Sequence, residues 1–110
     1  MVVSEDTLSR MVEAIVDATD PERVYLFGSQ SKGGATEGSD LDLLVVKDLP
    51  TDANRNRFDE IDRIHSVLSS FKVPVDVLLY SSVEVDRWKS SVNHVIGRCM
   101  REGKPLYVRP

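Results

Sequence analysis

The segment from Val24 to Val46 places the strongest constraint on how this chain can fold. It begins with the apolar run Val24–Phe27, passes through a stretch rich in glycine and serine, and ends in the apolar run Leu43–Val46. Short runs of β-branched, aromatic and aliphatic residues bounded by turn residues predict buried strands. The segment therefore predicts two strands of one sheet, joined by a tight turn and a glycine-rich loop or short helix.

Gly28 and Ser29 stand where the first of these strands ends. A serine at this position can cap a following helix, and the free backbone N–H groups of a helix N-terminus bind anions such as phosphate. The loop is not a Walker-type phosphate loop, because Gly34-Ala35 follow Gly33 where that motif requires lysine and then serine or threonine. The Gly-Ser turn is thus predicted to bind phosphate in a different way.

Three aspartates stand within or beside apolar strands: Asp40 and Asp42 flank Leu41, and Asp76 lies in the run Val73–Leu79. Side chains two residues apart in a strand share a face, with their Cα atoms about 6.8 Å apart. Two carboxylates at about 4 Å repel by about 4 kcal/mol at an effective dielectric constant near 20, and a bound Mg²⁺ reverses the sign of that interaction. If the two strands are neighbours, the three carboxylates converge on one or two metal ions.

Each of these residues has an alternative explanation. Asp40 can be a turn residue that ends the loop, whereas Asp42 and Asp76 are harder to explain as structural residues, since aspartate is depleted in strands. His65 and His94 share no metal-like spacing with each other or with a cysteine, which argues against a zinc site. The three aspartates together with the Gly-Ser pair favour a site for metal and phosphate over a chance arrangement.

The order Gly28-Ser29, ten residues, Asp40-x-Asp42 and later an isolated Asp76 resembles the active-site pattern of the DNA polymerase beta-like nucleotidyltransferase superfamily. The short chain and its ending Glu102–Tyr107 look like the minimal nucleotidyltransferase (MNT) antitoxins, which are paired with HEPN-domain toxins. The resemblance extends from about Leu8 to Tyr107. It implies an α/β (α+β) fold with a small mixed sheet flanked by helices, two Mg²⁺ ions, and ATP as the substrate.

The resemblance also implies roles for individual residues. Asp40 and Asp42 hold both metal ions and the triphosphate, and Asp76 completes the metal site and can take the proton of the acceptor hydroxyl. Gly28 and Ser29 bind the β and γ phosphates. All five residues follow the family pattern in this sequence.

The chain departs from the family pattern at one position. Many relatives carry arginine directly after the Gly-Ser pair, where this chain has Gln30; Lys32 is the candidate for replacing that cationic contact to the phosphates. This departure supports a second hypothesis, in which a vestigial nucleotide site belongs to an antitoxin that neutralises its toxin by direct binding.

The predicted activity is the transfer of AMP from ATP to a tyrosine hydroxyl of a HEPN toxin, as the resemblance implies. With 110 residues we expect a single domain over residues 1–110, with no length for a separate acceptor-binding domain, so that a partner supplies the acceptor. Nucleotidyl transfer to a small molecule ranks lower, since relatives with that activity carry an additional domain.

Composition limits the partners and the compartment. The chain has 14 basic and 18 acidic residues and a net charge of −4, which argues against nucleic acid as the main partner. The single cysteine, Cys99, is predicted to be a buried core residue and fits a reducing compartment. Neither a signal peptide nor an apolar run of roughly 18 residues is visible, so we expect a cytoplasmic protein.

Hydrophobic periodicity and capping residues predict the remaining elements. The second helix is expected to bury one face marked by Phe58, Ile61, Ile64 and Leu68, with His65 on or beside it as a structural residue, and to expose Arg57. The last helix is expected to bury Val92, Val95, Ile96 and Cys99. The predicted elements are a helix from Ser4 or Glu5 to about Thr19, strands Arg23–Phe27 and Leu41–Val46, a helix beginning at Thr51 or Asp52, a strand over Phe71–Tyr80 with Pro74 near a sheet edge, a helix after Ser81, a break at Lys89–Ser91, a helix ending at Gly103, and an edge strand or docked tail at Leu106–Val108.

Overall fold

The computed structural model describes residues 4–27, 41–48 and 53–110, and only the backbone of residues 53–56. None of the helices in these residues has the length and apolar character that a membrane span requires. In chain order the elements are α1 (Glu5–Thr19), β1 (Arg23–Phe27), β2 (Leu41–Val46), α2 (Ala53–Leu68), a 3₁₀ turn (Ser69–Phe71), β3 (Val75–Tyr80), α3 (Ser82–Trp88), α4 (Val95–Glu102) and β4 (Lys104–Val108).

The four strands form one mixed sheet in the order β3-β2-β1-β4. β1 is antiparallel to both β2 and β4, whereas β2 and β3 are parallel and are joined through α2. The predicted fold class, a small mixed sheet flanked by helices, is confirmed. β3 lies at an edge of the sheet, as Pro74 indicated, because proline cannot donate a hydrogen bond to a neighbouring strand.

The two faces of the sheet are covered by different helices, because successive side chains of a strand point to opposite faces. Along β2, Leu43 packs in a cluster with α1 and α2, whereas Leu44 packs in a second cluster with α3 and α4. We call these the α1–α2 face and the α3–α4 face. The first cluster includes Met11, Ile15, Val24, Leu26, Leu41, Val45, Ile64, Leu68 and Leu79, and the second includes Val46, Val85, Ile96 and Cys99.

Helix α1 begins and ends where the sequence predicted. The Ser4 hydroxyl accepts a hydrogen bond from the backbone N–H of Thr7, which caps the helix N-terminus. Asp20, directly after the last helical residue, adopts a left-handed conformation with φ 48°, and Pro21 follows, so the helix cannot continue.

The buried face of α2 is narrower than predicted. Ile64 and Leu68 are buried, whereas Phe58 is 66% exposed, so the expectation for Phe58 is wrong. His65, expected on or beside the apolar face, is exposed. Apolar burial among the described side chains of α2 starts at Ile61, one turn after Phe58. His65 lies about 100° around the helix from Ile64, which places it outside the buried stripe.

Strand β3 begins later than predicted. The expected strand over Phe71–Tyr80 is wrong at its start, since Phe71 ends the 3₁₀ turn and Lys72 adopts a left-handed conformation with φ 57°. That conformation reverses the chain locally and is incompatible with an extended strand. The strand starts only at Val75. Directly before it, the carbonyl oxygen of Pro74 accepts a hydrogen bond from the Leu41 amide at 3.0 Å.

The capping box and the break between α3 and α4 are confirmed. The Ser81 side chain accepts a hydrogen bond from the Glu84 amide, and the Glu84 carboxylate accepts one from the Ser81 amide. Val92 and Val95 are wrong as members of the buried helical stripe. Val92 lies in the segment between the two helices and is 73% exposed, and Val95, the first residue of α4, is 37% exposed. The predicted burial of Cys99 is confirmed, and burial raises the pKa of its thiol to about 11.

The sequence predicted that Arg57 lies on a solvated face, and this is wrong. Arg57 instead joins α2 to α3. Its Nη2 donates to both carboxylate oxygens of Glu84 at 2.8 Å, and its guanidinium lies over the ring of Tyr80, 5.4 Å from the centroid. Charge-assisted bonds of this kind are stronger than neutral ones. The contact links α2, the end of β3 and the start of α3.

We expect the contribution of Glu84 to stability to disappear in acid. Burial raises the pKa of Glu84, but hydrogen bonds from Ser81 and Arg57 outweigh it, so the pKa lies below its ordinary value of 4.5. The ionised form is therefore favoured in the folded protein. This preference stabilises the fold at pH values above the pKa of the unfolded state, and the stabilisation is lost as the pH falls through the lower pKa of the folded state.

The corresponding experiment is urea denaturation of Glu84→Gln at pH 7 and at several values below pH 4.5. We expect the variant to be less stable than the unmodified protein at pH 7 and the difference to shrink as the pH falls. The matched control is Glu13→Gln, a change at an exposed position of α1. A stability difference for Glu84→Gln that stays constant across this range would contradict the prediction.

Candidate active site

Asp42 and Asp76 lie side by side on the two parallel strands. In the register of β2 and β3, Asp42 is paired directly with Asp76. Neighbouring strands are about 4.8 Å apart, and paired residues point to the same face of a sheet. Since Leu44, two residues after Asp42, packs in the cluster with α3 and α4, both carboxylates belong to the α3–α4 face.

The two aspartates also share one end of the sheet. Each is the second residue of its strand, and Phe27, the last residue of β1, is paired with Asp42 from the other side. We call this the aspartate end of the sheet. The end of β1 and the beginnings of β2 and β3 therefore meet at one place, as the sequence required for a shared site.

Packing fixes the position of the carboxylates and leaves them accessible. Leu41 and Leu43, on either side of Asp42, are fully buried and hold β2 against the α1–α2 face. Asp42 itself is half-buried and Asp76 is exposed. Two carboxylates held at neighbouring positions repel each other, and a divalent cation placed between them removes that repulsion.

Several predicted site residues lie outside the described residues: Gly28, Ser29, Gln30, Lys32 and Asp40. Phe27 and Leu41, which border residues 28–40, are described. Both lie at the aspartate end, since Phe27 is paired with Asp42 and Leu41 with Val75.

The donor set of the described pair suits magnesium. Carboxylate oxygens are hard ligands, which Mg²⁺ and Ca²⁺ prefer to sulfur or imidazole. Within residues 4–27, 41–48 and 53–110 no group of three or more His, Cys, Asp or Glu side chains could hold a metal ion. Asp42 and Asp76 thus provide two of the three carboxylates that the sequence predicts, and Asp40 is the third.

The opposite end of the strands carries structural contacts instead. Lys47, directly after β2, forms an ion pair with Glu60 of α2 at 3.1 Å, and the Ser82 hydroxyl donates to Asp48 at 2.9 Å. These contacts, with the pair of Arg57 and Glu84, hold α2 and α3 against the ends of β2 and β3. These three contacts lie at the end of β2 and β3 away from the aspartate end.

Sequence reasoning missed one aromatic contact between α3 and α4. The rings of Trp88 and His94 are stacked with centroids 4.5 Å apart and planes 9° from parallel, and Tyr80 meets His94 edge-on at 6.2 Å. The Nδ1 atom of His94 accepts a hydrogen bond from the Ile96 amide at 3.1 Å, which caps α4. Tyr80 is half-buried, whereas Trp88 is 38% exposed, and the break between the helices was the only sequence signal near His94.

The mixed sheet with paired aspartates at one of its ends agrees with the class of protein that the family comparison shows, the nucleotidyltransferases. The chain matches the model of the nucleotidyltransferase domain over residues 8–97. It therefore belongs to the nucleotidyltransferase domain family, and it is a nucleotidyltransferase. No curated protein matches the chain.

Solved structures share the fold over nearly the whole chain. A protein from Sulfolobus solfataricus assigned as a nucleotidyltransferase is 22% identical, with a TM-score of 0.64, covering 94% of this chain and 79% of its own. A mutant of the toxin-antitoxin MntA-HpeT is 19% identical, with a TM-score of 0.59, covering 97% and 75%. A toxin-antitoxin with AMP-PNP is 22% identical, with a TM-score of 0.53, covering 92% and 73%.

Proposed function

We propose that this chain is an MNT antitoxin that transfers AMP from ATP to a tyrosine hydroxyl of a HEPN-domain toxin and so neutralises it. The pairing of Asp42 with Asp76 at one end of the sheet, in a chain of the nucleotidyltransferase family, is the observation that carries the proposal. Two structures of similar fold are toxin-antitoxin complexes, and one of them holds an adenine nucleotide analogue. These likenesses favour an antitoxin role and ATP as the donor.

Asp40, Asp42 and Asp76 are the residues proposed to hold magnesium. Two Mg²⁺ ions, when bound, would stabilise the negative charge on the attacking and leaving oxygens of the transfer. One of the toxin-antitoxin structures is a mutant in which two aspartates two residues apart are replaced by glutamate, a spacing that Asp40 and Asp42 share.

The remaining chemistry is assigned to this chain's own side chains and backbone. Gly28, Ser29 and Lys32 bind the β and γ phosphates and orient the α-phosphorus toward the acceptor. The hydroxyl oxygen of the acceptor forms a bond to the α-phosphorus, the bond to the bridging oxygen breaks, and pyrophosphate leaves. Asp76 takes the hydroxyl proton, and its exposure gives an incoming hydroxyl access to the carboxylate.

The position of Asp76 favours an acceptor on another macromolecule. β3 is an edge strand, and among the described strands none lies beyond it. A hydroxyl carried by a second protein can therefore approach Asp76 from the side of the sheet. Such an acceptor needs no additional domain in this chain, and a partner toxin in the same cytoplasm would supply it.

The test is transfer of label from ATP to the product of the neighbouring gene. We expect label from α-³²P-ATP, but not from γ-³²P-ATP, to appear on a tyrosine of that protein when Mg²⁺ is present, because nucleotidyl transfer keeps the α phosphorus and releases the γ phosphorus. Chelation with EDTA should abolish labelling. Absence of α label from the partner, or equal labelling by both nucleotides, would contradict the proposal.

A second candidate is an antitoxin that acts by binding alone, and Gln30 in place of the family arginine favours it. Cells that produce the toxin separate the two candidates. A double variant, Asp40→Asn with Asp42→Asn, fails to protect those cells if AMP transfer is required and still protects them if binding is sufficient. Transfer to a small molecule remains the lower-ranked alternative.

A further inference from the structure

Helices α3 and α4 and the segment between them present apolar side chains to solvent on the same side of the sheet as the paired aspartates. Val83 is 66% exposed, Trp88 38%, Val92 73% and Val95 37%. Contiguous exposed apolar patches indicate interaction sites, and these four side chains fall within residues 83–95. We call these four residues the valine–tryptophan surface.

The segment that joins α3 to α4 is held in place by specific contacts. Arg101 donates from Nη1 to the Ser91 carbonyl and from Nη2 to the Val92 carbonyl, at 3.3 Å each. A Cβ atom at Gly97 would come within 1.8 Å of the Ser91 carbonyl oxygen, so only glycine allows this close approach. Val92 is therefore exposed on a supported segment, and little ordering is required when it enters an interface.

The longer stretch from Asp86 to Arg101, which includes this segment, is basic within an acidic protein. Residues 86–101 contain four basic side chains and one acidic one, although the whole chain has a net charge of −4. Arg87 and Arg98 are exposed and form no ion pair within the described residues. A partner that covers the valine–tryptophan surface is thus expected to carry carboxylates around an apolar patch.

The valine–tryptophan surface lies on the same face of the sheet as the paired aspartates, nearer to the other end of β3. The ring of Tyr80, at the end of β3, meets His94 at 6.2 Å, and His94 is stacked on Trp88. Asp76 lies four residues before Tyr80 on the same strand, which corresponds to about 13 Å. One globular partner can therefore cover this surface and extend a side chain to the aspartate end.

We propose that the valine–tryptophan surface binds the protein that supplies the acceptor hydroxyl, through an apolar patch bordered by acidic side chains. This inference rests on the proposed function. The observations favour protein over RNA, because one face of Trp88 is covered by His94 and the other exposed apolar side chains are valines, which offer no surface on which bases can stack.

The test uses Val92→Asp in the full chain, with the product of the neighbouring gene as the binding partner. We expect the dissociation constant measured by calorimetry to rise at least about tenfold, as for the loss of an interface anchor. The matched control is Val108→Asp, since Val108 is 60% exposed but lies on β4, and it should bind normally. Arg98→Glu should weaken binding, and Arg63→Glu on α2 is its control.

Kinetics distinguish docking from damage to the active site. In the α-label assay, Val92→Asp should raise KM for the partner and leave kcat at saturation nearly unchanged, because Val92 lies away from the paired aspartates. Unchanged binding and KM in Val92→Asp, with normal labelling by the unmodified chain, would overturn this inference and leave the proposed function intact.

The other outcomes are also decisive. If the unmodified chain binds the partner without labelling it and Val92→Asp loses that binding, the docking inference stands and the proposed transfer fails. If the unmodified chain does not bind the partner at all, both fail. If a fluorescein-labelled single-stranded oligouridine binds and Arg98→Glu abolishes that binding while partner binding is unchanged, the surface serves RNA and the inference is overturned.

Discussion

Replacing Asp42 by asparagine is expected to reduce the initial rate of AMP transfer by at least about a hundredfold. Asp42 is paired with Asp76 and sits between two fully buried leucines, so no other described carboxylate can move into its place. Asparagine keeps the shape of the side chain and removes its charge. The measurement is the rate of α-label incorporation at saturating ATP and Mg²⁺.

The control for this loss is Asp62→Asn, a change at an exposed position of α2, which packs on the opposite face of the sheet. Its transfer rate should equal that of the unmodified chain. A companion variant, Asp76→Asn, should also lose activity but should melt no lower in EDTA, because removal of one of two like charges relieves repulsion. A clear fall in its melting temperature in EDTA would show that Asp76 has a structural role instead.

Leu43→Ala is expected to lower the free energy of unfolding by about 3 to 4 kcal/mol. Leu43 is fully buried in β2 and packs in the cluster between the sheet and helices α1 and α2. Small domains have only about 5 to 15 kcal/mol of stability, so the loss is a large share of the total. Urea denaturation monitored by circular dichroism measures it.

Leu106→Ala is the matched control for Leu43→Ala. The two substitutions remove the same atoms, but Leu106 is half-buried on the edge strand β4 and can be partly replaced by water. We expect a loss of about 1 kcal/mol, in proportion to the smaller area removed from solvent. Equal losses at the two positions would mean that β2 is not the central packed strand of the fold.

The sequence predicts most accurately the features that depend on neighbouring residues. The end of α1 follows from Pro21, and the start of α3 follows from the reciprocal hydrogen bonds of Ser81 and Glu84. Strands β1 and β2 have the predicted bounds, because each is a dense apolar run between turn residues. Because alternate residues of a strand point to opposite faces, the apolar residues of β2 are divided between the two faces of the sheet.

Features that depend on tertiary structure are the ones that the sequence misses. Arg57 and Glu84 are 27 residues apart, and only the folded chain brings this guanidinium to the start of α3. Phe58 fits the apolar period of α2 but lies one turn before its buried part. β3 begins late because Lys72 adopts a left-handed conformation, for which the sequence offers no glycine or asparagine as a signal.

For the candidate site, too, the sequence predicts the local pattern, and the fold decides whether distant residues meet. The spacing and apolar surroundings of the aspartates predict a carboxylate site, on the condition that the strands of Asp42 and Asp76 are neighbours. The structure meets that condition, with the two residues directly paired. The roles of Gly28, Ser29, Lys32 and Asp40 stay predictions, since these residues lie outside the described ones.

The parallel pairing of β2 with β3 has a consequence for when the protein becomes active during its own synthesis. Asp42 and Asp76 can come together only after the whole of α2 and the first residues of β3 have been translated. A nascent chain that stops before Val75 contains Asp42 but not yet Asp76. If this protein protects a cell from its partner, protection begins only when the ribosome has passed β3, whereas a toxin made at the same moment would be unopposed until then.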